Sequence, residues 1–327
     1  MSKPKIAFYW CASCGGCEES IVDLAEDLLT VTSAVDIVFM PVAMDFKKRD
    51  VEAMADNELA VAFINGAVRT SEQLEMAELL RRKAQLVIAY GSCAHQGGIP
   101  GLANLFNMEA LLQKSYTDAP SVTNPGGTRP QAELKVPEGI VSLPKMHDTV
   151  KALDQVIAVD YYLPGCPPSV KLVLEALTAI LEGKLPERGA ILAPDLAICH
   201  ECTRRDSKPD KLYIKEFKRP HQVLIDPEQC LLAQGVLCMG PVTRLGCGAA
   251  CLGGNMPCTG CQGPTDRVRD YGAKALSAIS SNLDASEDEE IVRLLDGIVD
   301  PAGTFYRYSL PASLLHSRIA GDGGKEA

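Results

Sequence analysis

The sequence predicts a doubly wound α/β fold, a parallel sheet covered on both faces, followed by a loop-rich lobe crowded with cysteine. Two observations lead there. Through the first 190 residues short continuous apolar runs alternate with amphipathic stretches, the pattern of buried parallel strands joined by crossover helices. Past that point the alternation stops, and the stretch 199–261 holds eight of the thirteen cysteines with little regular pattern.

Element by element, KIAFYW (5–10) reads as a strand and SIVDLAEDLLTVTSA (20–34) as a helix. DIVFMPV (36–42) and LAVAFING (59–66) are further strands. SEQLEMAELLRRKA (71–84) is a helix opened by a Ser71 cap and closed by cations. QLVIAYG (85–91) and QVIAVDYYLPG (155–165) complete the sheet, with SVKLVLEALTAILEG (169–183) as a strong helix. Periodicity fades over 101–150, where TNPGGTRPQAELKVPEG marks a surface insertion. DRVRDYGAKALSAISSNL (266–283) is helical, and the acidic ASEDEE (285–290) precedes another short helix and the tail GDGGKEA. The expected division is 1–190 for the sheet domain, 191–275 for the cysteine-rich domain and 276–327 for C-terminal helices and tail.

Composition narrows the function. The 327 residues are 46% hydrophobic and 23% charged, an ordinary globular balance. A net charge of −10 speaks against a nucleic-acid binder, and no apolar window reaches the 18 or so residues of a membrane span. MSKPKIAFYW lacks an apolar h-region and a twin-arginine leader, so the expected location is cytoplasmic. In that reducing compartment thirteen cysteines point to metal or cluster ligation rather than disulfides, and an odd count leaves one thiol spare. No catalytic triad, acid/base pair, GxGxxG or P-loop stands out.

The first thiols lie at one edge of the predicted sheet. Cys14 and Cys17 follow the first strand, Cys93 follows QLVIAYG, and Cys166 follows the last strand. Loops at the carboxyl ends of parallel strands share an edge, which is where doubly wound folds bind ligands. Glycines in GSCAHQGG (91–98) allow close backbone approach to a bulky group, and the prolines of GCPPS (165–169) stiffen the last loop. Four thiolates suit zinc or an iron–sulfur cluster, and spacing alone does not separate the two. Structural zinc sites more often use two compact pairs, whereas this set runs from residue 14 to residue 166, which favours a cluster.

C-G-G-C-E-E-S (14–20), G-S-C-A-H-Q-G-G (91–98) and G-C-P-P (165–168) resemble the small subunit of [NiFe] hydrogenases. The sheet is, by the same token, expected to be flavodoxin-like, although fold alone does not imply a flavin. The resemblance implies that Cys14, Cys17, Cys93 and Cys166 hold a proximal [4Fe–4S] cluster and that Cys11 is the spare thiol. Respiratory complex I relatives carry adjacent cysteines in the first motif, and the two glycines here place the chain on the hydrogenase side. ICHECTRR (198–205) and CLLAQGVLCMGPVTRLGCGAACLGGNMPCTGC (230–261) resemble the F420-non-reducing, heterodisulfide-reductase-linked branch, over about residues 5–275. By that pattern a distal [4Fe–4S] cluster uses Cys199, Cys202, Cys230 and Cys238, and a medial one uses Cys247, Cys251, Cys258 and Cys261. Many membrane-linked relatives place a histidine where Cys199 stands, with His200 adjacent here, and have only three medial cysteines; Cys251 supplies a fourth. Without the resemblance, two zinc ribbons holding a loop-rich lobe together would be the competing reading of the eight late cysteines.

The function this resemblance implies is an electron relay of three [4Fe–4S] clusters. It runs between a Ni–Fe site on a large catalytic subunit and an iron–sulfur or flavin electron-transfer subunit, in a heterodisulfide-reductase-like complex. The alternative keeps the relay beside a large subunit without nickel. No extra ferredoxin module follows Cys261, which argues against direct F420 reduction. Glu19 matches the family's glutamate near the large-subunit interface, as a salt-bridge or proton-handling residue. His95 is either a hydrogen-bond partner of a cluster sulfide or a loop histidine. Thr203–Arg219 carries seven cations against three acids, either a solvated face or a docking surface for an acidic redox partner.

Overall fold

The structure, a computed structural model, describes residues 3–315; the expected tail lies outside them. Its strands are β1 (Lys5–Trp10), β2 (Asp36–Phe39), β3 (Leu59–Asn65), β4 (Val68–Thr70), β5 (Ala84–Tyr90), β6 (Glu133–Val136), β7 (Gly139–Ser142), β8 (Met146–Lys151) and β9 (Tyr161–Leu163). The α-helices are α1 (Gly16–Val22), α2 (Asp27–Ala34), α3 (Lys48–Glu52), α4 (Ser71–Lys83), α5 (Gly91–Gln96), α6 (Met108–Gln113), α7 (Val170–Leu181), α8 (Ala250–Gly253), α9 (Tyr271–Ser280), α10 (Asp288–Leu295) and α11 (Pro301–Phe305). None is long and apolar enough to cross a membrane.

The main sheet has the order β2-β1-β3-β5-β9, all parallel, which is the flavodoxin-like arrangement. Alternate residues feed its two faces. Ile6, Phe8, Val61, Phe63, Ile88 and Tyr90 pack under α1, α2 and α7, with Phe8 and Phe63 stacked at 4.9 Å. Ala7, Ala62, Ile64, Val87 and Ala89 pack under α3, α4 and α5. Both faces are buried, so the strands carry unbroken apolar runs.

Several elements depart from expectation. The helix expected over 20–34 is two, α1 and α2, because Ala25 adopts a positive φ of 50° between them. The α4 cap is Thr70, whose hydroxyl accepts from the Gln73 N–H, while the Ser71 hydroxyl accepts from Lys145 N–H across the β4–β8 pair. The strand expected over 155–165 shrinks to β9. Ahead of it, buried Asp160 turns its carboxylate to the Val87 N–H at 2.8 Å and to Arg81 and Arg188. The insertion holds α6 and the β6–β7 hairpin, and most of the hairpin is exposed.

After residue 190 the chain winds through short 3₁₀ turns and isolated bridges. Yet the lobe has its own apolar core: Ile198, Ile214, Leu231, Val236 and Leu252 pack with Tyr271, Ile279, Phe305 and Leu310. Arg244, 1% exposed, links this lobe to the segment leaving the sheet. It donates to the carbonyls of Ala193 and Pro264 and pairs with Asp266 and Asp195.

Candidate metal centres

The first thiol set gathers where the order reverses at β1 and β3 and along the neighbouring strand ends. Cys14 sits in the loop after β1 and is exposed, whereas Cys17 is buried in the first turn of α1. Cys93 is buried within α5, and Cys166 follows β9. Cys17 lies within electrostatic reach of Cys93, Cys166 and Cys14, and Cys93 of Cys166 and Cys14. Two glycines make room for the sulfurs. A Cβ on Gly91 would stand 2.4 Å from Cys17 Sγ, and one on Gly98 2.4 Å from Cys93 Sγ; both residues have positive φ. The Ser92 N–H donates to Gly165 O at 2.7 Å, tying α5 to the Cys166 loop.

The eight late thiols fall into two further sets. Cys199 is within reach of Cys202 and Cys230, and the Sγ atoms of Cys199 and Cys238 lie 3.4 and 3.5 Å from the point a Gly240 Cβ would take. Cys258 is within reach of Cys247 and Cys251, and Cys261 of Cys258 and Cys247. Glu201 orders the Cys247 loop by accepting from the N–H groups of Gly246 and Gly248 at 3.2 and 3.1 Å. The three sets touch in sequence. Cys261 is within electrostatic reach of Cys166, and its carbonyl accepts from the Ser92 hydroxyl; Cys238 is within reach of Cys258, whose carbonyl accepts from the Met239 N–H at 2.9 Å. Among the described residues, no three His, Cys, Asp or Glu form a group that could hold a single metal ion.

Burial is the largest cause of the shifts at these thiols. It pushes Cys93, Cys238 and Cys261 up to about 12 and Cys258 to about 11, with neighbouring thiols adding to the effect. Cys17, Cys166, Cys199 and Cys247 are raised for the same first reason. A cation sharing the space would offset that cost. Cys11, buried in the α4 face of the sheet, is raised too and is absent from the couplings of the first set.

Other candidate residues sort differently. Glu19 is exposed and forms no salt bridge among the described residues. Its neighbour Glu18, which sequence reasoning passed over, is 5% exposed, and burial raises its pKa. Asn65 Nδ2 donates to Glu18 Oε1, while Oε2 is buried without a partner. The helical spacing of Glu18 to core residue Ile21 was the available signal. His95 lies in α5 rather than a loop, half-buried against Tyr162 at 4.7 Å, and burial lowers its pKa to about 4, with Arg244 adding to the shift. Arg204 is no surface cation. It is 3% exposed and donates to the carbonyls of Asp226, Gln229 and Leu252 and to Asn255 Oδ1.

Residues 14–180 match the family described as NADH ubiquinone oxidoreductase, 20 Kd subunit. The iron–sulfur subunit of the F420-non-reducing hydrogenase of Archaeoglobus profundus is 38% identical over 319 residues, covering 96% of this chain and 98% of its own. An F420-non-reducing hydrogenase subunit of Methanothermobacter marburgensis is 39% identical over 327 residues, covering 98% and 99%. The chain belongs to the [NiFe] hydrogenase small-subunit family. As a hydrogenase small subunit it is the electron-transferring, iron–sulfur component of an oxidoreductase whose catalytic site lies on a partner chain. The small subunit's fold is also that of the [NiFeSe] hydrogenase chain from Desulfovibrio vulgaris Hildenborough, with a TM-score of 0.51 at 18% identity, covering 82% of this chain and 95% of that one.

Proposed function

We propose that this small subunit relays electrons through three [4Fe–4S] clusters. The proximal cluster uses Cys14, Cys17, Cys93 and Cys166, the medial one Cys247, Cys251, Cys258 and Cys261, and the distal one Cys199, Cys202, Cys230 and Cys238. The observation that carries this reading is the line of contacts between the three thiol regions: Ser92 donates its N–H to Gly165 O beside Cys166 and its hydroxyl to Cys261 O, and the Met239 N–H next to Cys238 donates to Cys258 O. The donor set fits the group: soft thiols in fours, with glycine gaps against their sulfurs. When bound, such clusters supply one-electron carriers whose potentials follow hydrogen bonding, charge and burial.

The chain's own residues bury Cys17, Cys93, Cys238 and Cys258 and fix the loops through Glu201 and Ser92. A large subunit with a Ni–Fe site packs beside the proximal set, where Cys14 is exposed. An iron–sulfur or flavin subunit of a heterodisulfide-reductase-like, cytoplasmic complex docks beside the distal set. There Arg205, Lys208, Lys211 and Arg219 are exposed, and Lys208 is close enough to Cys199 to favour its thiolate. Glu19 faces the large subunit in this arrangement. The division into a sheet domain (1–190), a cysteine-rich domain (191–275) and C-terminal helices and tail (276–327) is part of the same reading.

The match to the 20 Kd NADH ubiquinone oxidoreductase subunit favours a second reading, the same relay beside a large subunit without nickel. Metal analysis of the complex purified through this chain separates them. About twelve irons on this subunit with one nickel on its partner is the expected result. Iron at that level without nickel selects the second reading, and zinc in place of iron overturns both.

A further inference from the structure

Glu18 is the one carboxylate of the described residues that is buried with an oxygen left unpaired. It projects from α1, one residue after Cys17, and its only side-chain partner among the described residues is Asn65, which occupies Oε1. Leaving a buried carboxylate oxygen without a donor is costly, and native proteins seldom accept it without a partner in view.

The space beside it is shaped for one. Glu18 lines a cleft of about 260 Å³ whose other walls include Phe8, Trp10, Met40, Pro41 and Val42. Its mouth is apolar yet open to solvent: Trp10 is 41% and Val42 50% exposed, and Met44 beyond them is 44% exposed. The cleft belongs to the sheet edge that carries the first thiol set, since Trp10 ends β1, Asn65 ends β3, and Met40–Val42 follow β2. An apolar collar around a desolvated acceptor is the arrangement that anchors a long cationic side chain. The methylene stem is covered, and the charged head meets the acceptor away from water. An indole at the rim favours a guanidinium over an ammonium.

We propose that this cleft receives a basic side chain, an arginine or lysine of the catalytic subunit, with Glu18 Oε2 accepting its N–H. The inference rests on the proposed packing of that subunit beside the proximal thiols. It makes Glu18, rather than the exposed Glu19, the carboxylate that fastens the two chains.

The test uses the anaerobically purified complex of this chain with its catalytic partner. The rate of subunit dissociation is followed by exchange against tagged chain, and iron per chain is measured on every variant. Glu18→Gln keeps the side chain's shape but presents a neutral amide. Removing one member of a buried charge pair should speed dissociation roughly thirtyfold or more, with iron unchanged. Val42→Lys, at an exposed position, offers Glu18 an ammonium from its own chain and fills the mouth, so it should weaken the complex likewise; it carries the test if Glu18→Gln loses iron. Dissociation at the wild-type rate in Val42→Lys, or in an iron-replete Glu18→Gln, overturns the proposal. So does a structure of the complex in which the cleft takes only water, an apolar side chain or this chain's own tail. A wild-type chain that binds no catalytic partner overturns the underlying reading as well, and the two failures differ in whether the wild type itself fails.

Discussion

Gly91→Ala separates what the sheet tolerates from what the thiol site requires. Gly91 opens α5 at φ +83°, where an alanine costs about 1–3 kcal/mol of backbone strain. Its new methyl would sit 2.4 Å from Cys17 Sγ and 3.4 Å from the Gly165 carbonyl. A free thiol can swing away from that methyl, so the unloaded chain should fold and lose only the strain energy. A thiolate fixed to an iron at one corner of a cluster has no such freedom, and the proximal site should lose its occupant. Gly183→Ala is the matched control, with φ +64° and nothing within 4 Å of the new Cβ. Both variants would be made anaerobically and compared by chemical denaturation, iron count and low-temperature EPR. With iron removed the two should fall in stability by similar amounts, while as purified only Gly91→Ala lacks about four of the proposed twelve irons and the signal of one cluster. Full iron and an unchanged spectrum in Gly91→Ala would refute the argument, because Cys17 could not then be a ligand pinned against that glycine.

Arg204→Met should weaken the cysteine-rich lobe by about 3 kcal/mol or more, since three carbonyls and an amide oxygen lose a buried donor; hydrogen exchange localised to 198–258 reads it. If the distal edge docks an acidic redox partner, electron transfer to that partner should slow as salt rises, and Lys208→Glu with Lys211→Glu should mimic the high-salt rate at low salt. Indifference to both would leave those cations as a solvated face. His95, depressed in the folded chain to about 4, binds fewer protons than when unfolded between about 6.5 and 4. Its contribution is therefore complete above the unfolded value and is lost as pH falls through that window. His95→Gln should flatten the stability slope between pH 7 and pH 5, and an unchanged slope would place the titration elsewhere.

The sheet was legible because its strands are buried on both faces and so carry unbroken apolar runs. Their parallel pairing also followed from the alternation with helices. What escaped reading had local causes. Ala25 breaks the first helix with no glycine or proline to announce it, and the last strand is shortened by the bonds of one carboxylate, Asp160, to residues far away in sequence. The thiol loops were placed on the correct edge by topology alone, since each follows a strand. The core of the cysteine-rich lobe was invisible. Its apolar residues are spaced by 3₁₀ turns and isolated bridges rather than by a helical or strand period, and they are completed by Tyr271, Phe305 and Leu310 from much later in the chain. Glu18 and Glu19 look alike in the sequence, and only the phase of α1 decides which of them faces inward.

The junction between the sheet and the lobe bears on how this molecule could be rebuilt. Cys166 from one side and Cys261 from the other lie within electrostatic reach of each other there. Ser92 donates to the Cys261 carbonyl, Ser169 donates to the Gly246 carbonyl, and Arg244 closes the same junction from below. These fasteners come from five separate stretches of chain, and each has its counterpart across the join. A chimera that exchanges only the later unit for that of a relative would keep every thiol and still bring mismatched halves to the crossing. The two units are therefore not interchangeable cartridges: the join is a shared part, inherited as a set, and any graft has to carry both of its faces.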